Sequence, residues 1–204
     1  MDVSPVITVG LTGGIGMGKS TVSNLIVQRG IPLVDTDVLA REVVEPGQPA
    51  LAEITALFGN RLLDEKGQLR RGELARLVFA DPQARAALES VLHPKIRQRW
   101  LSQVDSWRAV GESLAVVVIP LLFETNAQVE LDKTICVACS VATQRARLIE
   151  RGWPSGQIDQ RITAQLPISE KISRANFVLW NEASVDVLAA QLDVVLGHSK
   201  SAKL

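Results

Sequence analysis

Eight consecutive residues, Gly13-Gly14-Ile15-Gly16-Met17-Gly18-Lys19-Ser20, carry the sharpest chemical signal in the chain. They satisfy G-x-x-x-x-G-K-[ST], the pattern of a phosphate-binding loop. Glycines let the backbone curl so that successive N–H groups converge on phosphate oxygens. At these positions a lysine, here Lys19, reaches the β- and γ-phosphates, and a hydroxyl, here Ser20, ligates Mg²⁺. Thr21 follows within reach of phosphate. The expected triphosphate contacts are therefore Gly14, Ile15, Gly16, Met17, Gly18, Lys19, Ser20 and Thr21, with Ser20 also the metal ligand.

Two carboxylates, Asp35 and Asp37, follow the short apolar run Ile31-Pro32-Leu33-Val34. In open parallel sheets ligands gather at the carboxyl ends of the strands. Asp35 stands nearer the strand tip and is the candidate for chemistry. Asp37 is expected to cap the helix that follows. A third group is basic: residues 141–174 hold six Lys or Arg against three Asp or Glu, with Arg145, Arg147 and Arg151 on one helix. A positive, loop-flanked helix pair is what a lid closing over a triphosphate needs. About half of these charges are expected simply to face solvent.

Cys136 and Cys139 form C-x-x-C, and only His93 and His198 remain as further soft ligands. Thr134 to Ala138 reads as a strand, in which positions i and i+3 point to opposite faces. Buried structural thiols are expected rather than a metal or redox pair.

The elements that must hold these groups are legible from periodicity. Val6 to Leu11 is a β-branched run, followed after the glycines by Val22, Leu25 and Ile26 at helical spacing, with Gly30 as the stop. Strand, loop and helix thus stand in the order a phosphate-binding loop requires. A Rossmann dinucleotide site is disfavoured, because Gly14, Gly16 and Gly18 have the wrong third spacing. Residues from about 37 to 112 read as mostly helical. Expected helices run from Val38 to Val44, Ala50 to Phe58 and Glu73 to Phe79, with a further start at Asp81-Pro82 and a break at His93-Pro94. Leu114 to Ile119 is a central strand buried on both faces. Lys133 to Ala138 and Phe177 to Trp180 are two more strands. Val185, Leu188, Ala189, Leu192, Val195 and Leu196 form a final helical stripe, and a polar tail begins at Gly197.

Composition narrows the class. The chain has 204 residues, 47% hydrophobic content and a formal net charge of zero. That suits one α/β domain with an insertion and gives no general attraction to nucleic acid or membranes. The N-terminus lacks a signal peptide's basic start and apolar core, so a cytoplasmic location is expected. A GTPase would show N-K-x-D, and none of the asparagines begins one; Asp64-Glu65-Lys66-Gly67 matches D-x-x-G but lies in a polar turn. A mechanical ATPase would show an acidic residue ending the central strand. Here no carboxylate comes before Glu124, which leaves a small-molecule kinase and only a partial account of Mg²⁺ ligation.

Several blocks together resemble the dephospho-CoA kinase family. They are Leu11-Thr12-Gly13-Gly14-Ile15-Gly16-x-Gly18-Lys19-Ser20-Thr21-Val22, then Val34-Asp35-x-Asp37, then Ala40-Arg41-Glu42-Val43-Val44-Glu45-Pro46-Gly47. Further blocks are Phe58-Gly59, Gly67-x-Leu69-x-Arg71-x-x-Leu74, Leu92-His93-Pro94, Pro120-Leu121-Leu122-Phe123-Glu124 and Gln144-x-x-Arg147-Leu148-x-x-Arg151. They span about residues 7 to 181 in family order. The departures are Met17 in place of the usual Ser, its side chain expected to point away from phosphate, and Asn176 and Trp180 near the last strand.

The resemblance implies transfer of the ATP γ-phosphoryl group to the ribose 3′-hydroxyl of dephospho-CoA. It implies a three-layer α/β P-loop kinase fold with a five-stranded parallel sheet ordered 2-3-1-4-5. The domain would comprise a core of 1–36, 113–140 and 175–204, a helical CoA-binding subdomain of about 37–112 and a lid of about 141–174. Catalysis would fall to Asp35, Lys19 and Arg147, with Arg147 also on ATP. The acceptor would meet Thr12, Asp35, Arg71, His93, Leu121 and Leu122. Mg²⁺ would accompany ATP, and the protein would be a monomer or small homo-oligomer. The alternatives are another nucleoside or nucleotide kinase of the P-loop class, and a nucleotide-binding regulator without turnover, against which the intact Asp35 speaks.

Overall fold

β-Branched apolar runs build the sheet, and amphipathic helices cover it. The computed structural model describes residues 6–201. In chain order the elements are β1 (Ile7–Gly13), α1 (Lys19–Gln28), β2 (Leu33–Asp35), α2 (Thr36–Glu42), α3 (Pro49–Phe58), α4 (Arg71–Ala80) and α5 (Pro82–Ala109). There follow β3 (Leu114–Val118), β4 (Lys133–Ala138), α6 (Val141–Glu150), α7 (Ser155–Thr163), α8 (Ile168–Arg174), β5 (Phe177–Trp180) and α9 (Val185–Ser201). The strands form one parallel sheet in the order β2-β3-β1-β4-β5, as the resemblance implied.

Contacts divide the chain into two units, one running to Asp35 and resuming at Val104, the other Thr36–Gln103. The first unit contains the whole sheet. On one face Val9, Leu11, Val116, Val118, Ile135, Val137 and Leu179 pack against Val22 and Ile26 of α1 and Leu188 and Leu192 of α9. On the other face Ala138 and Cys139 pack with Met17, Ile168 and Ile172. β1 and β3 are buried along their full length, as strands covered on both faces must be. At the sheet's outer edge Gln191 of α9 offers its Oε1 to the Trp180 N–H (2.9 Å) and donates from Nε2 to the Trp180 carbonyl (3.0 Å).

The second unit is helical around Val43, Val44, Ala50, Ile54, Leu62, Leu74 and Val91. Asp64 closes the polar turn by accepting from the N–H groups of Lys66 and Gln68. Asp81 caps the start of α5 through the Gln83 N–H at 2.8 Å.

Three local expectations are corrected. Pro94 does not break the helix: α5 is continuous over 28 residues with Pro94 inside it. A mid-helix proline costs about 3 kcal/mol. Leu88, Val91, Leu92 and Ile96, on both sides of it, pack into the second unit's core. Fully burying one such side chain is worth about 1.5–3 kcal/mol; Val91 is buried and the other three partly so, and together they offset the proline in an unbroken helix. Asp37 is not the cap of α2, because Thr36 already begins that helix and Asp37 lies in its first turn. At the C-terminus α9 continues past Gly197 to Ser201, and Val185, expected on its apolar stripe, is exposed. The remainder of the expected polar tail lies outside the described residues. Among the described residues no helix is long and apolar enough to cross a membrane.

Candidate active site

The phosphate loop joins β1 to α1, and its shape depends on glycine. Gly13 has φ 148°, and a Cβ there would lie 2.3 Å from the Val137 carbonyl oxygen. Gly18, at the N-cap of α1, has φ 101°, and a Cβ there would lie 2.0 Å from Asn181 Nδ2. No other residue combines that backbone with that closeness. Lys19 folds back over the loop and donates from Nζ to the carbonyls of Gly13 (2.8 Å) and Gly14 (3.1 Å). Ser20 and Thr21 follow Lys19 in the first turn of α1, where backbone N–H groups and the helix dipole favour anions. The Met17 side chain is 1% exposed and packs against Ala138 and Cys139.

Polar side chains fasten the loop from outside. Gln144, buried on α6, donates from Nε2 to the Ile15 carbonyl at 2.8 Å. Gln165, between α7 and α8, accepts from the Ile15 N–H at 2.9 Å. Asn181, just after β5, donates from Nδ2 to the Met17 carbonyl at 3.0 Å.

Asp35 ends β2 beside Val118 of β3, which also pairs with Leu11 of β1. Two strand spacings, about 10 Å, thus separate Asp35 from the strand that feeds the loop. Both stand on the carboxyl edge of the sheet.

Arg147 comes to the loop from α6. Its Nη2 donates to the Asn181 carbonyl at 3.0 Å. Its Nη1 is buried with no hydrogen-bond partner and lies 3.8 Å from where a Cβ on Gly18 would sit. A buried polar nitrogen without a partner is uncommon in a folded protein, and this one lies beside the phosphate loop. The Cys139 thiol is its neighbour; burial pushes that thiol up despite the arginine, and burial pushes Cys136 up to about 11. Both cysteines are free and buried, as expected for structural thiols.

Glu182 anchors the start of α6. It accepts from the Thr143 hydroxyl and from the N–H and hydroxyl of Ser140, both at 2.8 Å. These bonds, the Thr143 hydroxyl foremost, hold its carboxyl below the ordinary carboxylate range.

The first carboxylate beyond the central strand, Glu124, is tied to a lysine. The wholly buried Lys171 of α8 donates from Nζ to Glu124 Oε1 and to the Pro120 carbonyl, each at 2.7 Å. Glu124 also accepts from the Leu166 N–H at 2.9 Å. Elsewhere in 141–174, Arg145 pairs with Asp159, Arg174 with Glu170, and Arg161 stacks over Trp153 with its guanidinium 4.7 Å from the ring centre.

The structure thus brings together, in one unit, the loop residues Gly14 to Thr21, Arg147 and the edge that carries Asp35. Leu121 is half-buried. Thr12 and Leu122 are fully enclosed, and the Thr12 hydroxyl donates to the Pro120 carbonyl at 3.2 Å. Arg71 and His93 belong to the second unit, both exposed, with Arg71 donating to the Arg41 carbonyl. Sequence reasoning missed Asn181, Glu182, Gln165 and Lys171. Only Asn181 carried a signal, as a polar residue at the carboxyl end of a strand.

A glycine loop between first strand and first helix, in a parallel sheet of this order, with an arginine turned to the loop, defines a P-loop phosphotransferase. Comparison with known proteins narrows the class. The dephospho-CoA kinase family model matches residues 7–186. A dephospho-CoA kinase of Anaeromyxobacter dehalogenans is 42% identical over 196 residues, 96% of this chain and 93% of that one. The crystal structure of a Thermus thermophilus protein superimposes with a TM-score of 0.81 at 35% identity, covering 96% of this chain and 98% of that one. Dephospho-CoA kinase from Campylobacter jejuni gives a TM-score of 0.72 at 27% identity, with the same coverage. The chain belongs to the dephospho-CoA kinase family.

Proposed function

We propose that Lys19, Asp35 and Arg147 carry the transfer of the ATP γ-phosphoryl group to the 3′-hydroxyl of dephospho-CoA. Phosphorylation of dephospho-CoA to CoA, in CoA biosynthesis, is the activity of the family to which the chain belongs. The observation that carries the assignment of residues is the buried, unpartnered Nη1 of Arg147 beside Gly18. Phosphoryl transfer asks a protein for positioning and charge neutralisation more than for covalent chemistry. The loop N–H groups and Lys19 hold the β- and γ-phosphates. Arg147 neutralises charge on the equatorial oxygens as the group moves. Asp35 accepts the proton of the acceptor hydroxyl and aligns its attack.

Mg²⁺ is the proposed metal, with Ser20 as its protein ligand. Among the described residues no group of three or more His, Cys, Asp or Glu could cage a cation. The Ser20 hydroxyl is an exposed hard oxygen at the head of α1. That donor set fits Mg²⁺, which usually takes one or two protein ligands and fills its shell with water and phosphate oxygens. Bound there, the ion would supply charge neutralisation to the triphosphate.

In this reading residues 37–112 hold the acceptor and residues 141–174 close over ATP. Asp35 and Leu121 of the first unit meet dephospho-CoA, the enclosed Thr12 and Leu122 act only through the backbone they hold, and for Arg71 and His93 the support is the family resemblance alone. The enzyme works in the cytoplasm. Its test is a coupled assay with ATP and dephospho-CoA, set against simple nucleosides as acceptors, with the product's phosphate located by NMR. Asp35→Asn keeps a carbonyl acceptor but removes basicity, and general-base assistance is worth about 10²–10⁴ in rate. Asp35→Asn should lose turnover on that scale with ATP affinity within threefold of wild type. Phosphorylated nucleosides with dephospho-CoA inert, or an unimpaired Asp35→Asn, would overturn the assignment.

A further inference from the structure

We propose that Asn181 is a positioning residue that sets Arg147 against the phosphate loop; this rests on the role given to Arg147 above. Three hydrogen bonds converge on this one residue, which is 7% exposed. Its backbone N–H donates to the Ala138 carbonyl at 2.7 Å, continuing the β4–β5 pairing past the end of the strand. Its carbonyl accepts Arg147 Nη2 at 3.0 Å. Its side-chain Nδ2 donates to the Met17 carbonyl inside the loop at 3.0 Å.

The consequence is geometric. Arg147 reaches the site on a long side chain from α6, and such a chain has many rotamers to lose. One guanidinium nitrogen is pinned to Asn181, which leaves Nη1 directed at the loop beside Gly18. The same Asn181 is pinned to the loop through its amide, so loop and guanidinium share one reference point. The glycine at 18 belongs to the device, because any side chain there would occupy the space of the Asn181 amide. Glu182 adds a second tie, fixing the start of α6 to the same turn through Ser140 and Thr143. A misplacement of about 1 Å at a catalytic group can cost about 10²-fold in rate. Removing the Asn181 amide cuts the link between loop and arginine while leaving both groups in the chain.

The test is a double-mutant cycle in steady-state kinetics with ATP and dephospho-CoA: wild type, Asn181→Ala, Arg147→Ala and the double variant, with thermal melts of each. Asn181→Ala should lower kcat 10- to 100-fold with KM for ATP changed less than threefold. In the Arg147→Ala background the same substitution should cost less than threefold, a coupling that a purely structural role would not produce. If Asn181→Ala does not fold, Asn181→Asp keeps the side-chain size, replaces the donor by a second acceptor facing Met17, and takes its place in the cycle. Undiminished kcat in the Asn181 variant, or equal losses in both backgrounds, would overturn the proposal while leaving Arg147 in place. Wild-type turnover in Arg147→Ala would instead overturn the role of Arg147 itself.

Discussion

Replacing Lys171 by methionine removes an ammonium that is wholly enclosed and makes two 2.7 Å bonds, to Glu124 Oε1 and to the Pro120 carbonyl. Methionine fills nearly the same volume, so the packing of α8 is largely kept and the loss is electrostatic. Stranding one partner of a buried ion pair costs about 3–5 kcal/mol. Glu124 keeps 20% of its side chain exposed and retains the Leu166 N–H, so part of its charge is re-solvated. The expected destabilisation is therefore about 2–3 kcal/mol. With a urea m-value near 2 kcal/mol/M, the unfolding midpoint should fall by about 1–1.5 M. Adding Glu124→Gln removes the stranded charge and leaves an acceptor for Leu166, so the double variant should recover about 1 kcal/mol. Urea unfolding of the three proteins, followed by circular dichroism, measures this. A midpoint shift below about 0.3 M in Lys171→Met, or a double variant as unstable as the two singles summed, would refute the reasoning.

Lys19→Ala should fold normally and lose about 10²–10³ in kcat, the usual cost of deleting one preorganised donor to a transferring group; near-normal turnover would remove Lys19 from the chemistry. Glu182 has a depressed folded pKa, so its contribution to stability is complete above the ordinary carboxylate pKa and is lost as pH falls through the lowered value. Wild type should thus exceed Glu182→Gln in melting temperature near neutral pH, and the gap should close as pH drops below about 4.3; a constant gap would contradict the assignment. Both thiols are buried and raised, so the native protein should react slowly with a thiolate-directed reagent at pH 8 and expose both groups together on unfolding. Fast labelling of one thiol in the folded protein would show it to be reachable.

The parts of this molecule that obey local rules were readable in one dimension. Lys133 to Ala138 and Phe177 to Trp180 stand as β4 and β5 with the expected bounds, because each is a short apolar run between turn signals. The glycine loop was readable because its spacing is dictated by phosphate geometry rather than by neighbours. Pro94 misled because its penalty is local whereas its compensation, the packing of its neighbours Leu88, Val91, Leu92 and Ile96 into a core with Val43, Ala50 and Ile54, is made with residues distant in sequence. Asp37 misled because the helix starts at Thr36, two positions before the expected Val38; a helix start is decided by where strand pairing ends, here at Asp35 with Val118. The fastenings of the loop were least visible. Gln144, Gln165 and Asn181 are ordinary polar residues until folding places their amides on Ile15 and Met17. In the sequence Lys171 is only one of the counted charges of 141–174 and Glu124 only the first carboxylate after the central strand; their pairing is made by the fold.

The amide of Gln191 on the backbone of Trp180 has a consequence for handling and synthesis. A terminal strand offers its free N–H and C=O groups to any extended chain that meets it. On β5 that offer would be made beside Val178 and Trp180, which are 37% and 46% exposed. Gln191 occupies both backbone groups of Trp180, as a single-residue mimic of a neighbouring strand. The plug arrives late, on the final helix, after the strand it protects has already been made. Between those moments, and again whenever α9 detaches, the sheet has an adhesive border, and crowded chains can zip together along it.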